Sequence, residues 1–123
     1  MVRVLIADDH LLFAEALEAI LSLDGRISVI GRAADGEEAV KLADELKPDV
    51  VLMDLSMPRG DGFDATKKIR EADGDTRVLV LTGSAATDDV ARARDAGADG
   101  YFTKDQIADD LVRAILATAD QEP

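Results

Sequence analysis

Acidic residues sit where the chain is otherwise most apolar. Asp8 and Asp9 close the run Val2-Arg3-Val4-Leu5-Ile6-Ala7, and Asp54 closes Asp49-Val50-Val51-Leu52-Met53. Thr82 and Lys104 follow two later apolar runs in the same way. Carboxylates gathered at the ends of buried strands repel one another. Two unit charges ~4 Å apart cost roughly 4 kcal/mol at an effective dielectric of ~20. Such a group persists readily when a cation sits among the carboxylates or when they share a proton. The chemistry these residue types can do is therefore that of a hard-cation site, with a hydroxyl and an ammonium close by.

The elements that must bring these residues together can be read from the pattern. Five short runs rich in β-branched residues recur at 2–7, 27–31, 49–53, 77–81 and 100–103, the pattern of strands buried on both faces. Helical stripes separate them. Phe13, Leu17, Ile20 and Leu21 share one face, Ala39, Leu42, Ala43 and Leu46 another, and Ile107, Leu111, Ala114, Ile115 and Thr118 a third. Phe63, Thr66 and Ile69 support a helix near Gly62–Ala72. A helix near 86–96 has little beyond Val90 and alanines, so it is thinly anchored, which suits a segment that moves.

Fivefold strand–helix alternation predicts a parallel sheet with helices on both faces. Right-handed crossovers then set every strand's C-terminus on one edge, where ligands of open α/β sheets bind. Asp8, Asp9, Asp54, Thr82 and Lys104 are all expected at that edge. No glycine-rich phosphate loop follows the first strand, because Ala7-Asp8-Asp9-His10-Leu11 is acidic there.

Bulk properties narrow the function. At 123 residues one domain is expected, large enough to bury a real core. Acidic residues outnumber basic ones 26 to 14, a balance that opposes direct nucleic-acid binding by this segment and favours cations. There is no cysteine, hence no disulfide and no thiolate metal site. No apolar stretch approaches the ~20 residues that span a bilayer, and the start lacks a signal-peptide layout. Membrane contact is not expected, and a cytoplasmic location is the default expectation.

Four motifs in order now carry a resemblance. They are Asp8-Asp9; Met53-Asp54-Leu55-Ser56-Met57-Pro58 with Asp61-Gly62; Leu81-Thr82-Gly83; and Gly97-Ala98-Asp99-Gly100-Tyr101-Phe102-Thr103-Lys104. Along essentially its whole length the chain resembles the receiver domain of bacterial two-component response regulators. It is most similar to the subfamily whose output is a LuxR-type helix-turn-helix. The resemblance implies a flavodoxin-like, doubly wound (βα)5 fold with parallel strand order 2-1-3-4-5. The receiver would span residues 1–119, leaving 120–123 as a frayed tail or the start of a linker.

The resemblance also implies roles. Asp54 would be the phosphoacceptor, charged by the phosphohistidine of a sensor histidine kinase. Mg²⁺, with Mn²⁺ as a substitute, would be held by Asp9, Asp54 and the backbone carbonyl of Ser56, with Asp8 acting through a water. Lys104 and Thr82 would bind the phosphoryl oxygens. Thr82 and Tyr101 would form the switch that alters the surface of the fourth helix, fifth strand and fifth helix. Tyr101 packing on the sheet edge is the competing reading. Homodimerisation on phosphorylation and a DNA-binding domain outside this chain are further expectations, beside the reading of a stand-alone receiver.

Several of these residues have other possible roles. Asp8 or Asp9 could cap the first helix. His10 is expected to be a solvated loop residue without a catalytic role. Asp105 follows Lys104 where many receivers carry proline, which argues against a cis bond there and suggests a cap for the last helix. Ser56 and Ser84, both small, suggest that hydrolysis of an acyl phosphate is not strongly blocked. Leu11-Leu12-Phe13 is a candidate kinase-docking surface by analogy. A phosphohydrolase of the haloacid-dehalogenase type would need an aspartate where Ser56 stands, so that alternative loses its acid/base group.

Overall fold

The computed structural model describes residues 1–55, 57, 62–82, 87–104 and 109–119. Strands and helices alternate as β1 (Val2–Ala7), α1 (Leu11–Ser22), β2 (Ile27–Ala33), α2 (Gly36–Leu46) and β3 (Val50–Asp54). The series continues with α3 (Gly62–Ala72), β4 (Arg77–Thr82), α4 (Thr87–Asp95), β5 (Gly100–Thr103) and α5 (Asp109–Ala119). The strands form one sheet in order β2-β1-β3-β4-β5, with every pairing parallel. This is the doubly wound architecture expected.

Alternation along the three inner strands builds two cores. Val4, Ile6, Val50, Leu52, Leu79 and Leu81 face α1 and α5, meeting Ala14, Leu17, Leu21, Leu111 and Ile115. Leu5, Ala7, Val51, Met53, Val78 and Val80 face the other way, onto Ala39, Ala43, Ala65, Ile69 and Ala93 of α2, α3 and α4. The inner strands β1, β3 and β4 are buried on both faces, as expected. The outer strands β2 and β5 are half-buried, because each has a neighbour on one side only.

Local chemistry fixes where the elements stop. Asp35 caps α2 by accepting from the Glu38 amide at 2.7 Å, while the Glu38 carboxylate accepts from the Ala34 amide at 2.8 Å. Gly97, at φ 102, ends α4: the Ala98 amide reaches the Ala93 carbonyl and the Gly97 amide the Arg94 carbonyl, the paired bonds of a Schellman turn. On α4, Ala93 is buried and Val90 only half-buried, in keeping with the thin anchoring expected there.

Three details depart from the sequence reading. β2 runs two residues further, because Arg32 and Ala33 pair with Ile6 and Ala7 beyond a register shift between Val4 and Leu5. Ile20, expected on the buried stripe of α1, is exposed, and Ala14 takes its place beside Leu17 and Leu21. Asp54 and Thr82 lie inside β3 and β4 as their last residues rather than after them. The proposed roles of Ser56, Ser84 and Asp105, the place of Ile107 on its stripe and the tail at 120–123 fall outside the described residues.

Candidate functional site

Strand register levels the acidic residues. Ala7 pairs with Met53, so Asp8, the next residue, stands opposite Asp54. Asp54 pairs with Leu81, which pairs with Phe102, and Thr82 pairs with Thr103, so Thr82 comes one residue and Lys104 two residues further along the same edge. α1 lies on one face of the sheet and α2 on the other, which opens a crevice between β1 and β3 where the strand order reverses.

In this crevice Asp8 and Asp54 are almost completely buried, and Asp9 is partly exposed. Lys104 reaches in from the end of β5. Its Nζ lies 2.9 Å from Asp8 Oδ2 and 3.6 Å from Asp54 Oδ2, and 4.4 Å from the centre of the Phe13 ring on α1. The ring face favours the ammonium and holds its stem over the carboxylates. Asp8 Oδ2 meets Lys104 as an ion pair by distance, but no donor among the described residues has hydrogen-bond angles to it. A buried carboxylate oxygen held by charge alone is what a cation-binding pocket leaves when its donors face inward.

Neither Asp8 nor Asp9 caps α1. The N-cap position is His10, which makes no side-chain cap, and Asp8 Oδ1 instead accepts from the His10 amide at 2.8 Å. That removes the capping explanation. His10 is 63% exposed, as a loop residue should be, yet its ring turns inward. Nδ1 lies 3.2 Å from Asp8 Oδ1, 3.6 Å from Asp9 Oδ1 and 4.0 Å from Asp54 Oδ2. Phe13 and the inward His10 are the two site neighbours that residue patterns did not predict. Both follow the Asp8-Asp9 pair within one helical turn, which is the signal that was available.

Thr82 is buried at the end of β4. Tyr101 pairs with Val80, and both contribute to the core on the side of α2, α3 and α4. By alternation Thr82 points to that same side, two residues along from Val80. Thr82 and Tyr101 are thus near neighbours on one face. Gly62 begins α3 directly against β3: a Cβ there would lie 2.5 Å from the Asp54 carbonyl oxygen. The close approach of α3 to the end of β3 requires glycine. No helix of the described residues is long and apolar enough to cross a membrane.

Comparison with known proteins agrees with this fold. Residues 4–116 match the response regulator receiver domain family. The chain is 44% identical over 123 residues to the transcriptional regulatory protein LiaR of Bacillus subtilis, covering all of this chain and 58% of that protein. It is 36% identical over 116 residues to the nitrate/nitrite response regulator protein NarL of Escherichia coli K12, covering 94% of this chain and 54% of that protein. The chain therefore spans little more than half the length of these relatives.

Among solved structures, a LuxR-family two-component response regulator from Aurantimonas superposes with a TM-score of 0.91 at 36% identity, over 97% of this chain and 85% of that one. The response regulator domain of Thermotoga maritima CheB gives 0.92 at 31% identity, over 100% of this chain and 99% of the other.

Proposed function

The chain belongs to the response regulator receiver domain family, and from that premise we propose that it accepts a phosphoryl group on Asp54 from a histidine kinase. One observation carries the reading: Asp8 and Asp54 are buried side by side at the strand ends with the Lys104 ammonium 2.9 Å and 3.6 Å away. Two buried anions and a shared cation are costly for a fold unless a further charged group completes them.

Asp54 is the nucleophile. One carboxylate oxygen attacks phosphorus, the P–N bond to the donor imidazole breaks, and the imidazole leaves with its electron pair and takes up a proton. Lys104 is drawn toward the arriving phosphoryl oxygens, and the Thr82 hydroxyl donates to another of them. Such transfer asks the protein chiefly for position and charge. The carboxylates of Asp8, Asp9 and Asp54 fit a hard divalent ion; on this reading Asp9, Asp54 and the Ser56 carbonyl would be its direct ligands and Asp8 would act through a water. When bound, Mg²⁺ or Mn²⁺ would neutralise phosphoryl charge beside Asp54.

The receiver spans residues 1–119 on this reading. Movement of Thr82 toward the phosphoryl group frees space on the face it shares with Tyr101, and the ring's shift alters the surface of α4, β5 and α5. A homodimer on phosphorylation is part of this reading, and the likeness to LiaR, named a transcriptional regulatory protein, supports a transcriptional output domain beyond this segment. A stand-alone receiver acting through protein contacts is the second reading. Its setting would be the cytoplasm.

The test is incubation with Mg²⁺ and a small acyl phosphate, followed by intact-mass measurement. Wild type should gain one phosphoryl group, and Asp54→Asn none. An equal adduct on the variant would refute Asp54 as the acceptor, and one formed without a divalent ion would refute the metal requirement.

A further inference from the structure

Phe13 stands at the crevice with no group that could bind a metal or donate to a phosphoryl oxygen, yet its place is fixed. Its ring is half-buried against the core that faces α1 and α5, the cluster that also takes in Phe102 of β5. Lys104 lies two residues beyond Phe102, and its Nζ sits 4.4 Å from the centre of the Phe13 ring. That is well inside the ~6 Å within which a ring face attracts an ammonium. A lysine just past an edge strand ordinarily carries its charge into water. Here only 19% of the Lys104 side chain is exposed.

The polar contacts alone do not set that position. Nζ lies 2.9 Å from Asp8 Oδ2, 3.3 Å from His10 Nδ1 and 3.6 Å from Asp54 Oδ2, so its nearest anion is Asp8 and not the acceptor. The Asp8 contact lacks hydrogen-bond angles among the described residues, and it therefore attracts the ammonium without giving it a direction. A ring face does have a direction, because its quadrupole draws a cation toward the middle of the face. Phe13 thus adds an oriented restraint, held in place by the core, to a cluster of contacts made by charge.

We propose that Phe13 is a positioning residue for phosphoryl transfer: its ring face holds the Lys104 ammonium beside Asp54, within reach of the oxygens that arrive there. The inference rests on the phosphoacceptor reading of Asp54. A free lysine stem has many rotamers and is ordered only at a cost in entropy. Where the ring has already ordered it, that cost does not fall on the transition state, and the charge stands ready when the phosphoryl group arrives. Phe13 touches neither the acceptor nor the phosphoryl group, so it acts through Lys104. A leucine at the same place would cover the stem but would not attract the charge.

The experiment measures the rate of adduct formation by the whole chain with Mg²⁺ and a small acyl phosphate. Wild type is compared with Phe13→Leu, with Phe13→Tyr, and with chains carrying one, two or three ring fluorines on the phenylalanine at position 13. Fluorine drains charge from the ring face while nearly keeping its size, so it tests attraction apart from packing. Phe13→Leu should slow the reaction about three- to tenfold, the range expected of a partly exposed contact between a cation and a ring. Phe13→Tyr should stay near wild type, and the rate should fall step by step with each fluorine. In NMR spectra of the unphosphorylated chain, the Lys104 methylene next to Nζ should be shifted upfield by the ring current and return to its ordinary position in Phe13→Leu. A rate indifferent to the fluorines, or an ordinary Lys104 signal in wild type, overturns the proposal and leaves Asp54 as acceptor. No adduct on wild type at all would sink the phosphoacceptor reading, and the positioning role with it, even with the Lys104 signal still shifted.

Discussion

Asp54→Asn removes one negative charge from a buried cluster while keeping the side chain's size, so it separates electrostatic cost from packing. At the 4.8 Å outer limit of the cluster each neighbouring carboxylate repels Asp54 by about 3.5 kcal/mol at an effective dielectric of about 20. Asp8 and Asp9 together therefore oppose its charge by about 7 kcal/mol on the same scale. Lys104, at 3.6 Å, returns about 4.6 kcal/mol. The balance is a net repulsion of about 2 kcal/mol, to which loss of hydration adds. For a chain of 123 residues a gain of that size raises the melting temperature by about 8 °C. Thermal unfolding in a chelator at neutral pH measures it. With Mg²⁺ the gap should narrow, because the ion stabilises wild type more than a variant lacking one ligand. If metal-free Asp54→Asn melts at or below wild type, the charges are not strained and the argument for a cation-seeking crevice fails.

Two further outcomes follow from other parts of the molecule. Gly62→Ala would push a Cβ to 2.5 Å from the Asp54 carbonyl oxygen and 2.8 Å from Leu55 Cα, both backbone atoms that cannot rotate away. Urea unfolding should show a loss of about 1–3 kcal/mol, and an unchanged midpoint would mean that the start of α3 can retreat freely. At the turn before β2, hydrogen bonds from the Arg26 side chain and then its backbone amide hold the Asp24 carboxyl down to about 2. A folded value below the ordinary ~3.9 stabilises the fold fully above that ordinary value, and the contribution is lost as pH falls through about 2. Arg26→Ala should return the carboxyl toward the ordinary value in an NMR titration, with little change in overall melting because the turn is exposed.

How far the sequence could be read depended on what each residue had to do. β1, β3 and β4 were legible because they are buried on both faces, and continuous apolar runs have no other easy explanation. The end of β2 was not, since an edge strand can carry Arg32 and still pair with β1. α1 misled at Ile20 because the helix is apolar around most of its girth. Leu11, Leu12 and Leu23 are exposed as well, so periodicity alone could not choose the buried face. Strand order came from resemblance, as hydrophobic period says nothing about neighbours. Asp8, Asp54 and Lys104 converge as their strand ends required. The inward turn of His10 is a rotamer choice made by three carboxylates from two strand ends, and no local pattern encodes it.

The same topology explains why a lysine, and not a shorter cation donor, follows β5. In the order β2-β1-β3-β4-β5, the fifth strand is three places from the first, about 14 Å across the sheet. Yet Lys104 Nζ lies 2.9 Å from Asp8, beyond the end of β1. Only a long, flexible stem can arch along the strand ends to that point, and Phe13 on α1 steadies its charged tip. The ammonium therefore ties the end of β5 to the ends of β1 and β3 through contacts made by charge alone. Anything that places new charge on Asp54 must redirect that ammonium. Because Lys104 directly follows Thr103, and Tyr101 lies two residues before that, the pull acts on the strand that carries the aromatic ring. Coupling between the crevice and β5 is thus built into the reach of one side chain.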